Sequence, residues 1–442
     1  MRNLRTFLML ALGGAATLLL GGATALRSAA TAATPGERIL YAFAEHGTGD
    51  GAGPLTGVVA DRAGTLFGTT TFGGAYGGGA VFELRPARDG TYRERIIHSF
   101  GAPGDGATPA GGIAVAASGA LYTVTIQGGA TNAGTVVELR RAGETYRERV
   151  VFDFGPGSVG NQPLGTPVID GAGNVFGVTQ FGGSFNGICG RVGGCGVVFE
   201  LSPQGKGFAE RTIYALPGGT GGILPQAGLA SDNAGNLYGT AYAGGDPSCD
   251  GGGGCGVVFK LQPKGKAYSA TTIYAFHGGS DGATPFSALT VDEASGTLYG
   301  TTEYGGGNCC GTVYRLAPGG SGYGESVLHS FHGGLGGLLP QAPVLLARGG
   351  VIYGTADIGG KGCGGVGCGF VFKMTPQGSQ YAFSVVHYFA SGKDGAEPQW
   401  SPLLPDSSGA LYGTTRSGGG RKCGDGGPGG TLGCGVVFRL EP

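Results

Sequence analysis

The chain has 442 residues, of which 13 % are charged, and its formal net charge is −1. This balance, with no basic patch, argues against nucleic acid as a partner. Glycine (101) and proline (23) are abundant enough for a disordered chain, but 40 % of the residues are hydrophobic and the glycines recur at fixed places beside them. Glycines that separate regular apolar runs indicate turns between strands, so we expect an ordered, strand-rich protein.

The N-terminus has the layout of a secretory signal. Two arginines precede an apolar stretch from Phe7 to Leu20, and small residues with Ala-x-Ala sites follow it. We predict a signal peptide over residues 1–33, cleaved between Ala25 and Ala33. The alternative is an uncleaved signal anchor, because the apolar segment is just long enough to cross a bilayer. No later segment is apolar enough to span a membrane, so we expect the mature chain to be secreted or extracytoplasmic: in the periplasm, at the cell surface or in the medium.

One motif, Leu-Tyr-Gly-Thr or a close variant, recurs along the whole chain. Its seven copies begin at Leu66, Leu121, Val175, Leu237, Leu298, Ile352 and Leu411. After each copy come a Gly-Gly pair and a Gly-x-Val-Phe-x-Leu segment or a close variant, the segments beginning at Gly79, Gly134, Gly196, Gly256, Gly311, Gly369 and Gly435. A fixed period of roughly 57 residues is the signature of a repeat architecture.

Each copy predicts four short strands, which we call A to D in chain order. Strand A follows a proline, as in residues 54–59, strand B is the Leu-Tyr-Gly-Thr motif and strand C is the Val-Phe segment. Strand D starts with charges such as Glu94, which fit an exposed edge strand. An Asp-x-x-Gly turn, such as Asp232 to Gly235, predicts a hairpin between A and B. Seven such units predict an all-β, seven-bladed β-propeller with four antiparallel strands per blade.

The last copy of strand D is missing at the C-terminus and is found at the other end of the chain, as Ile39 to Phe43. A linear array has no reason to begin with the last strand of its unit. A ring does, because the N-terminal strand can pair into the seventh blade and leave no open edge. We therefore predict one domain, residues 34–442, closed by its N-terminal strand.

Ten cysteines fall into five local pairs, each between strands B and C. The pairs are Cys189 with Cys195, Cys249 with Cys255, Cys309 with Cys310, Cys363 with Cys368, and Cys423 with Cys434. The even count, the export signal and the repeated placement predict five disulfides, one in each loop. Two alternatives remain: a zinc site, whose usual Cys-x-x-Cys spacing and nearby histidine are missing, and a strained vicinal disulfide between Cys309 and Cys310 with redox or ligand-contact behaviour.

The combined consensus resembles the GloVer tandem-repeat proteins, which are exported bacterial proteins with differing C-terminal anchors. Its parts are Leu-Tyr-x-Phe, Asp-Gly-x-x-Pro, Gly-Asn-Leu-Tyr-Gly-Thr-Thr, Gly-Gly and Gly-x-Val-Phe-x-Leu, spread over residues 37–442. The resemblance implies an extracytoplasmic location and transfers no catalytic residues. No anchor or sorting tail follows Leu440, which predicts release or retention through the N-terminus.

The D–A and B–C loops of a propeller share one face, and two repeated elements should meet there. The D–A loops supply Asp50, Asp105, Asp281 and Asp394, and the B–C loops supply Phe72, Phe181, Tyr242 and Tyr304. Such carboxylates and aromatics could bind Ca²⁺ or stack on sugars. The alternative is structural: the aspartates fix turns before a proline, and the aromatics pack between blades. Apart from this weak calcium candidate, we predict no metal and no cofactor.

A few other side chains could carry chemistry. His98, His329 and His387 occupy strand D positions that hold tyrosine in other copies, so we interpret them as packing variants. Trp400, the one tryptophan, lies near the channel at the start of the last strand A and is interpreted as a core residue. No nucleophile elbow, metalloprotease helix or phosphate loop is present, and we assign no catalytic residue.

Three functions fit these observations. The first is a non-catalytic, monomeric binding or surface-interaction module that uses the D–A and B–C loop face for an extracellular protein or a carbohydrate. The second is a secreted carbohydrate-active hydrolase or lyase, and the third is a structural cell-envelope protein. A single asymmetric cluster of buried carboxylates with shifted pKa values on the loop face would favour the enzyme.

Overall fold

A computed structural model describes residues 36–44, 49–155, 160–307, 309–320, 322–420, 423 and 433–442. The predicted signal peptide, residues 1–33, lies outside the described residues. The described chain forms seven antiparallel blade sheets that follow one another along the sequence, each with the strand order A-B-C-D, and a separate two-stranded sheet of Gly51–Ala52 and Phe72–Gly73. This confirms the predicted seven-bladed β-propeller.

The first strands in chain order belong to the edge of the seventh blade and to blades 1 to 3. They are β1 (Glu37–Ala42), β2 (Gly51–Ala52), β3 (Val59–Ala60), β4 (Leu66–Thr70), β5 (Phe72–Gly73), β6 (Ala80–Pro86), β7 (Tyr92–Ser99), β8 (Gly106–Pro109), β9 (Ala114–Val115), β10 (Leu121–Gly128), β11 (Thr135–Ala142), β12 (Thr145–Asp153), β13 (Asn161–Ile169), β14 (Val175–Phe181), β15 (Val197–Gln204) and β16 (Gly207–Ala215).

The remaining strands form blades 4 to 7 in the same order. They are β17 (Ala230–Ser231), β18 (Leu237–Ala241), β19 (Val257–Lys264), β20 (Ala267–Ala275), β21 (Thr290–Asp292), β22 (Thr297–Thr302), β23 (Thr312–Gly319), β24 (Gly322–Ser330), β25 (Leu345–Leu346), β26 (Ile352–Ala356), β27 (Phe370–Gln377), β28 (Gln380–Tyr388), β29 (Leu404–Pro405), β30 (Leu411–Thr415) and β31 (Val436–Leu440).

Helical segments are few and short within the described ranges. They are the α-helix α1 (Ile188–Val192) and the 3-10 turns Gly219–Gly221, Asp250–Gly252, Gly334–Gly336, Arg348–Gly350 and Cys363–Gly365. None of the described helices has the length and apolar character needed to span a bilayer.

Strand A is shorter than the sequence suggested. The expected strand over residues 54–59 pairs with strand B only at Val59 and Ala60. The residues before it pack instead against the neighbouring blade, where a Cβ at Gly57 would overlap the carbonyl oxygen of Pro402. Glycine is needed at such close backbone approaches, and these contacts draw the inner strands together around the axis.

The glycine of the Leu-Tyr-Gly-Thr motif makes room for an aromatic ring. In blade 4, Gly239 pairs with Phe259 across the strands, and a Cβ on the glycine would overlap the ring. Blade 2 carries the complementary exception: Thr123 replaces the glycine, and its cross-strand partner is the smaller Val137. The facing residues of strands B and C are therefore complementary in volume. Where strand B carries glycine, the buried aromatic ring of strand C fills the space beside it.

We expect Gly239→Ala to destabilise the domain by about 1–3 kcal/mol, because the added methyl group overpacks the site. Combining Gly239→Ala with Phe259→Val should cost less than the sum of the two single changes. Urea unfolding of the four proteins of this cycle measures the coupling. Additive losses would contradict the complementary-volume interpretation.

The first threonine of the motif joins neighbouring blades. Its hydroxyl donates a hydrogen bond to a backbone carbonyl at the start of the next inner strand. The pairs are Thr69 with Gly111, Thr240 with Ser287, Thr301 with Ala342 and Thr414 with Thr56. The last of these bonds, at 2.9 Å, links blade 7 to blade 1.

The ring is closed by the N-terminal strand, as predicted. Strand β1 pairs antiparallel with β31, from Glu37 opposite Leu440 to Ala42 opposite Val436. The N–H of Phe43 then donates to the carbonyl of Gly435 at 3.0 Å, and the Phe43 side chain is fully buried. The seventh blade is thus built from both ends of the chain.

All five predicted cysteine pairs are disulfide-bonded, and no free cysteine is present among the described residues. The bonds join Cys189 to Cys195, Cys249 to Cys255, Cys309 to Cys310, Cys363 to Cys368, and Cys423 to Cys434. The pairing supports the disulfide interpretation over a zinc site. Each bridge closes a loop between strands B and C on the D–A and B–C face.

The second cysteine of every pair is buried directly before strand C. These residues are Cys195, Cys255, Cys310, Cys368 and Cys434. Each bridge therefore attaches its loop to the interior of the blade rather than presenting both sulfur atoms on the loop surface. This burial indicates that the bridges support the loop face from the interior of the blades.

Candidate functional site

The four aspartates predicted as weak calcium ligands each fix the start of a D–A loop. Asp50 accepts hydrogen bonds from the backbone N–H groups of Ala44 and Gly51, both at 2.7 Å, and from the Tyr41 hydroxyl at 2.9 Å. Asp105, Asp281 and Asp394 make corresponding contacts in their own blades. These bonds support the turn-fixing interpretation, while calcium binding by the aspartates stays a prediction.

Histidine replaces tyrosine as the strand D partner of two of these aspartates. The Nε2 atom of His98 lies 3.0 Å from the Asp105 carboxylate, and the Nε2 atom of His387 lies 3.2 Å from the Asp394 carboxylate. His329 is followed by a loop without an aspartate and stacks on Phe383, with ring centroids 3.9 Å apart. Two of the three histidines therefore act as polar partners, beyond the packing role expected from the sequence.

A glutamate on strand D of the following blade faces each of the four aspartates, and we call these units the rim carboxyl pairs. They are Asp50 with Glu94, Asp105 with Glu148, Asp281 with Glu325 and Asp394 with Glu37. Burial and the facing aspartate raise the pKa of Glu94 and of Glu325 to about 7, and that of Glu37 to about 9. The expectation that the strand D glutamates are free edge charges is therefore corrected.

The aspartate and the glutamate of a rim carboxyl pair are present together or absent together, with one exception. Where the D–A loop lacks an aspartate, the glutamate position holds Ala270 in blade 4 and Phe383 in blade 6. The third such blade keeps Glu210, which accepts a hydrogen bond from Thr212. Among the described residues, one group of three potential metal ligands lies within 4.8 Å, and it is the rim pair Glu37 and Asp394 with His387.

Two cavities also open at blade boundaries on the rim. One of about 420 Å³ is lined by Tyr76, His98, Asp105 and Glu148, and one of about 390 Å³ by His329, His332 and Tyr381, among others. The first contains a rim carboxyl pair with its histidine, and the second surrounds the His329 stack. Their polar groups are thus variants of the repeated blade contact.

The four predicted loop aromatics separate into two kinds. Phe72 and Phe181 pack in core clusters that join neighbouring blades, blades 7 and 1 for Phe72 and blades 3 and 4 for Phe181, as the structural alternative predicts. Tyr242 lies 6.1 Å from Phe286 between ring centroids, and Tyr304 is 45 % exposed beside Glu303. Only the two tyrosines therefore belong to the asymmetric part of the loop face.

An aromatic stack crosses the axis at this face. Phe286 follows the proline of the blade 5 loop, and Trp400 follows that of blade 7. Their rings stack with centroids 5.3 Å apart and an interplanar angle of 27°. Because blades 5 and 7 are not neighbours, this contact lies in the central space at the mouth of the channel. Trp400 is half-buried, so it is not the simple core residue expected from the sequence.

Polar side chains from blades 5 to 7 form a chain of hydrogen bonds beside the stack. The Gln341 amide donates to Glu303 at 3.1 Å, and the Gln399 amide donates to Gln341 at 3.0 Å. Arg416 donates to Gln399 at 3.3 Å. We call Tyr242, Phe286, Glu303, Tyr304, Gln341, Asp357, Glu397, Gln399, Trp400 and Arg416 the mouth cluster.

Two carboxyl groups of the mouth cluster have strongly raised pKa values. Burial raises the pKa of Glu303 to about 7, against the lowering effect of hydrogen bonds from Tyr304 and Gln341. Burial and the neighbouring Glu397 charge raise the pKa of Asp357 to about 7, although Arg416 opposes the shift. Both groups therefore titrate near neutrality, where carboxyls can exchange protons with a ligand.

Three buried polar atoms of the cluster lack a hydrogen-bond partner among the described residues. They are the Asp357 Oδ1, the Trp400 Nε1 and the Arg416 Nε. Buried polar groups in folded proteins are nearly always paired, and an unpaired one costs about 1–3 kcal/mol. The cluster is therefore incomplete without an external group or water.

The cluster breaks the symmetry of the repeat. The second position after the Gly-Thr pair holds Thr71, Ile126 and Gln180 in blades 1 to 3, but Tyr242, Glu303, Asp357 and Arg416 in blades 4 to 7. Trp400 also has a φ of 51°, an unusual value for a bulky side chain. Strained and asymmetric positions in a repeated framework are typical of functional sites.

Most of this cluster was missed from the sequence. The sequence predicted only Tyr242, Tyr304 and Trp400 as candidates, since the other members of the cluster are not shared between the copies. The informative signal was the opposite one, the second position after the Gly-Thr pair of each motif, where the copies differ. Alignment of that position across the seven copies shows that its charged residues all lie in blades 5 to 7.

The comparisons with known proteins agree with the fold. The model of the Gloeobacter/Verrucomicrobia repeat matches residues 29–251, 158–366 and 248–442. A provisionally assigned 6-phosphogluconolactonase from Bacteroides uniformis has 15 % identity and a TM-score of 0.50, over 80 % of this chain and 88 % of that chain. The extracellular domain of the provisionally assigned one-component system BT4673 from B. thetaiotaomicron has 9 % identity and a TM-score of 0.52, over 90 % and 40 %.

Identities this low show a shared fold and carry no activity to this chain. The comparison with curated proteins gave no match. The family model, by contrast, covers residues 29–442 in three overlapping stretches and confirms the resemblance seen in the repeated motifs. The chain belongs to the Gloeobacter/Verrucomicrobia repeat family.

Proposed function

We propose that this protein is an extracytoplasmic carbohydrate-binding propeller and that the mouth cluster is its binding site. The observation that carries the proposal is the Phe286–Trp400 stack across the axis, bordered on one side by amides and carboxyls. Aromatic rings offer apolar faces to sugar rings, and planar polar side chains bond to their hydroxyls. The five disulfides support an oxidising location outside the cytoplasm.

The proposal keeps the loop face expected from the sequence but moves the site. The repeated aspartates lie on strand D contacts at the rim, whereas the mouth cluster lies on the inner strands. Its unpaired Asp357 Oδ1, Trp400 Nε1 and Arg416 Nε are groups that saccharide hydroxyls can satisfy. Ligand binding would then supply hydrogen bonds that these buried atoms do not make within the described residues.

The test uses residues 34–442 and a panel of oligosaccharides, screened by thermal shift and confirmed by calorimetry. A sugar at 100 times its dissociation constant should stabilise the fold by about 2.7 kcal/mol. Trp400→Ala should weaken binding of that sugar at least about tenfold, as expected for a central aromatic anchor. Phe185→Ala, which removes an exposed aromatic side chain outside the cluster, is the matched control and should bind normally.

Binding that is unaffected by Trp400→Ala would place the site elsewhere. If no saccharide of the panel shifts the unfolding temperature or gives heat, the proposal is wrong.

A second candidate is a glycoside hydrolase or lyase, favoured by the two carboxyls that titrate near neutrality. Glu303 and Asp357 have pKa values of about 7, suitable for a general acid or base. The two functions differ in their products. New reducing or unsaturated ends that appear with the wild type and vanish with Glu303→Gln would support the enzyme, whereas intact oligosaccharide after prolonged incubation supports binding alone.

A further inference from the structure

Building on the proposed function, we infer that the saccharide taken by the mouth cluster carries a positive charge, as an amino sugar with a free ammonium group. The inference names the ligand class of that same site. It depends on the charge balance of the cluster, on the unpaired Asp357 oxygen and on the surrounding aromatic rings.

The cluster has more negative than positive groups. Glu303, Asp357 and Glu397 face one cation, Arg416. None of the three carboxylates makes an ion pair within 4 Å among the described residues. The described hydrogen bond of Arg416 goes to the neutral Gln399, and that of Glu397 comes from the Ser417 hydroxyl. The site therefore lacks a countercharge that a ligand can supply.

Asp357 marks where this countercharge is missing. Asp357 is 8 % exposed, and its Oδ1 atom has no hydrogen-bond partner among the described residues. An unpaired buried carboxylate is costly, so the group takes a proton when no cation is present. An ammonium group provides three N–H donors and a charge, which would pair this oxygen and let the carboxyl ionise.

The aromatic part of the cluster fits the same ligand. The rings of Tyr242 and Trp400 both contact Phe286, and the Tyr304 side chain lies beside Glu303. Cations are attracted to the faces of aromatic rings. A neutral sugar would use the rings but leave Asp357 and Glu303 protonated, and an anionic sugar would be repelled by their ionised forms.

Binding should also be linked to proton release. The groups that face Asp357 are Glu397, Arg416 and Glu303, and those that face Glu303 are Tyr304 and Tyr242. Both acids have pKa values of about 7, so at about pH 6 most of the molecules carry these protons. An arriving ammonium group favours the ionised forms and displaces protons from them.

The experiment compares three tetrasaccharides with the same β-1,4 linkage: glucosamine, N-acetylglucosamine and glucose. They differ at carbon 2, which carries an ammonium, an acetamide or a hydroxyl group. Calorimetry at about pH 6 in two buffers of different ionisation enthalpy measures both affinity and released protons. We expect the glucosamine tetramer to bind at least about tenfold more tightly than the other two, with net proton release.

Two variants assign the effect to Asp357. Asp357→Asn copies the shape of the protonated acid, so its unfolding temperature at about pH 6 should match that of the wild type. It should lose the preference for glucosamine and reduce the proton release, while retaining the affinity for the glucose tetramer. Glu144→Gln, on an exposed carboxylate outside the cluster, should change neither quantity.

The outcomes separate this inference from the proposed function. Equal affinity for all three tetramers, with loss of binding in Trp400→Ala, overturns the ammonium inference and leaves carbohydrate binding intact. A glucosamine preference that survives in Asp357→Asn also overturns it. Absence of binding by every tetramer and every other sugar of the panel overturns both.

Discussion

The domain is expected to unfold at a lower temperature at about pH 9 than at about pH 5. The rim carboxyl pairs are the main reason. Burial and a facing aspartate raise the pKa of Glu94 and Glu325 to about 7, and burial with a hydrogen bond to Asp394 raises that of Glu37 to about 9. Glu303 and Asp357 at the mouth shift in the same direction.

The sign follows from proton linkage. A carboxyl with a higher pKa in the folded state stabilises the fold fully below its unfolded pKa, which is 4.5 for glutamate. That contribution is lost as the pH rises through the folded pKa, here between about 4.5 and 9. Glu94 and Glu325 should each account for about 1–2 kcal/mol after allowance for solvent screening, and with Glu37 they amount to several kcal/mol.

Acidic conditions act through other groups. Burial alone would raise the pKa of Glu138, but hydrogen bonds from Tyr122 and Arg140 outweigh it and lower the pKa. A carboxylate with a lowered pKa loses its stabilising contribution as the pH falls through the folded pKa. Maximum stability is therefore expected in mildly acidic solution, between these two limits.

Differential scanning calorimetry from about pH 4 to 9 at constant ionic strength measures the profile. The double variant Glu94→Gln/Glu325→Gln should flatten it above about pH 6, because glutamine resembles the protonated acid and does not ionise. Glu144→Gln should leave the profile unchanged. An unfolding temperature that stays level or rises between about pH 5 and 9 would contradict the assignment of protonated carboxyls at the rim.

Removing residues 34–43 is expected to have the largest effect of any single change considered. The deletion takes away β1, exposes the backbone edge of β31 and leaves the place of Phe43 empty. Loss of a buried phenylalanine side chain alone costs about 3–5 kcal/mol. The Phe43 ring also packs against Phe82 of blade 1 at 5.1 Å, so the deletion weakens two blades at once.

Urea unfolding and light scattering of the shortened chain measure the two consequences. We expect a lower midpoint and concentration-dependent association through the open edge. Phe43→Ala should show the loss of stability without the association, since the strand remains in place. Arg38→Ala, on the same strand but exposed, is the control. An unchanged midpoint for the shortened chain would mean that β1 does not hold the ring closed.

The architecture could be predicted because it depends on residues that repeat. Seven Leu-Tyr-Gly-Thr motifs gave the number of blades, and the displaced Ile39 to Phe43 segment gave the closure. The cysteine pairs followed from their placement in one kind of loop. The seven copies within one chain can be compared with one another, and this comparison makes the repeated residues and the displaced strand recognisable.

Contacts between blades could not be predicted in the same way. The pairing of Glu94 with Asp50 joins different copies, and a scan along the chain assigns the glutamate to a solvent-exposed edge. The inner strand was overestimated for a similar reason, because the close approach at Gly57 depends on Pro402 of the seventh blade. Trp400 and Phe286 meet across the axis, a contact that no local pattern marks.

Closure by the first strand has a consequence for the order of assembly. Glu37 pairs with Leu440, so a strand synthesised before blade 1 bonds with one synthesised after blade 6. Blades 1 to 6 can form as the chain lengthens, whereas the seventh must wait for β31. Since pairings of such long sequence separation are slow to form, we expect the pairing of β1 with β31 to be the last step in folding of the ring. Until then β1 is an unpaired strand, and a chain cut short before its last strand would have no partner for it.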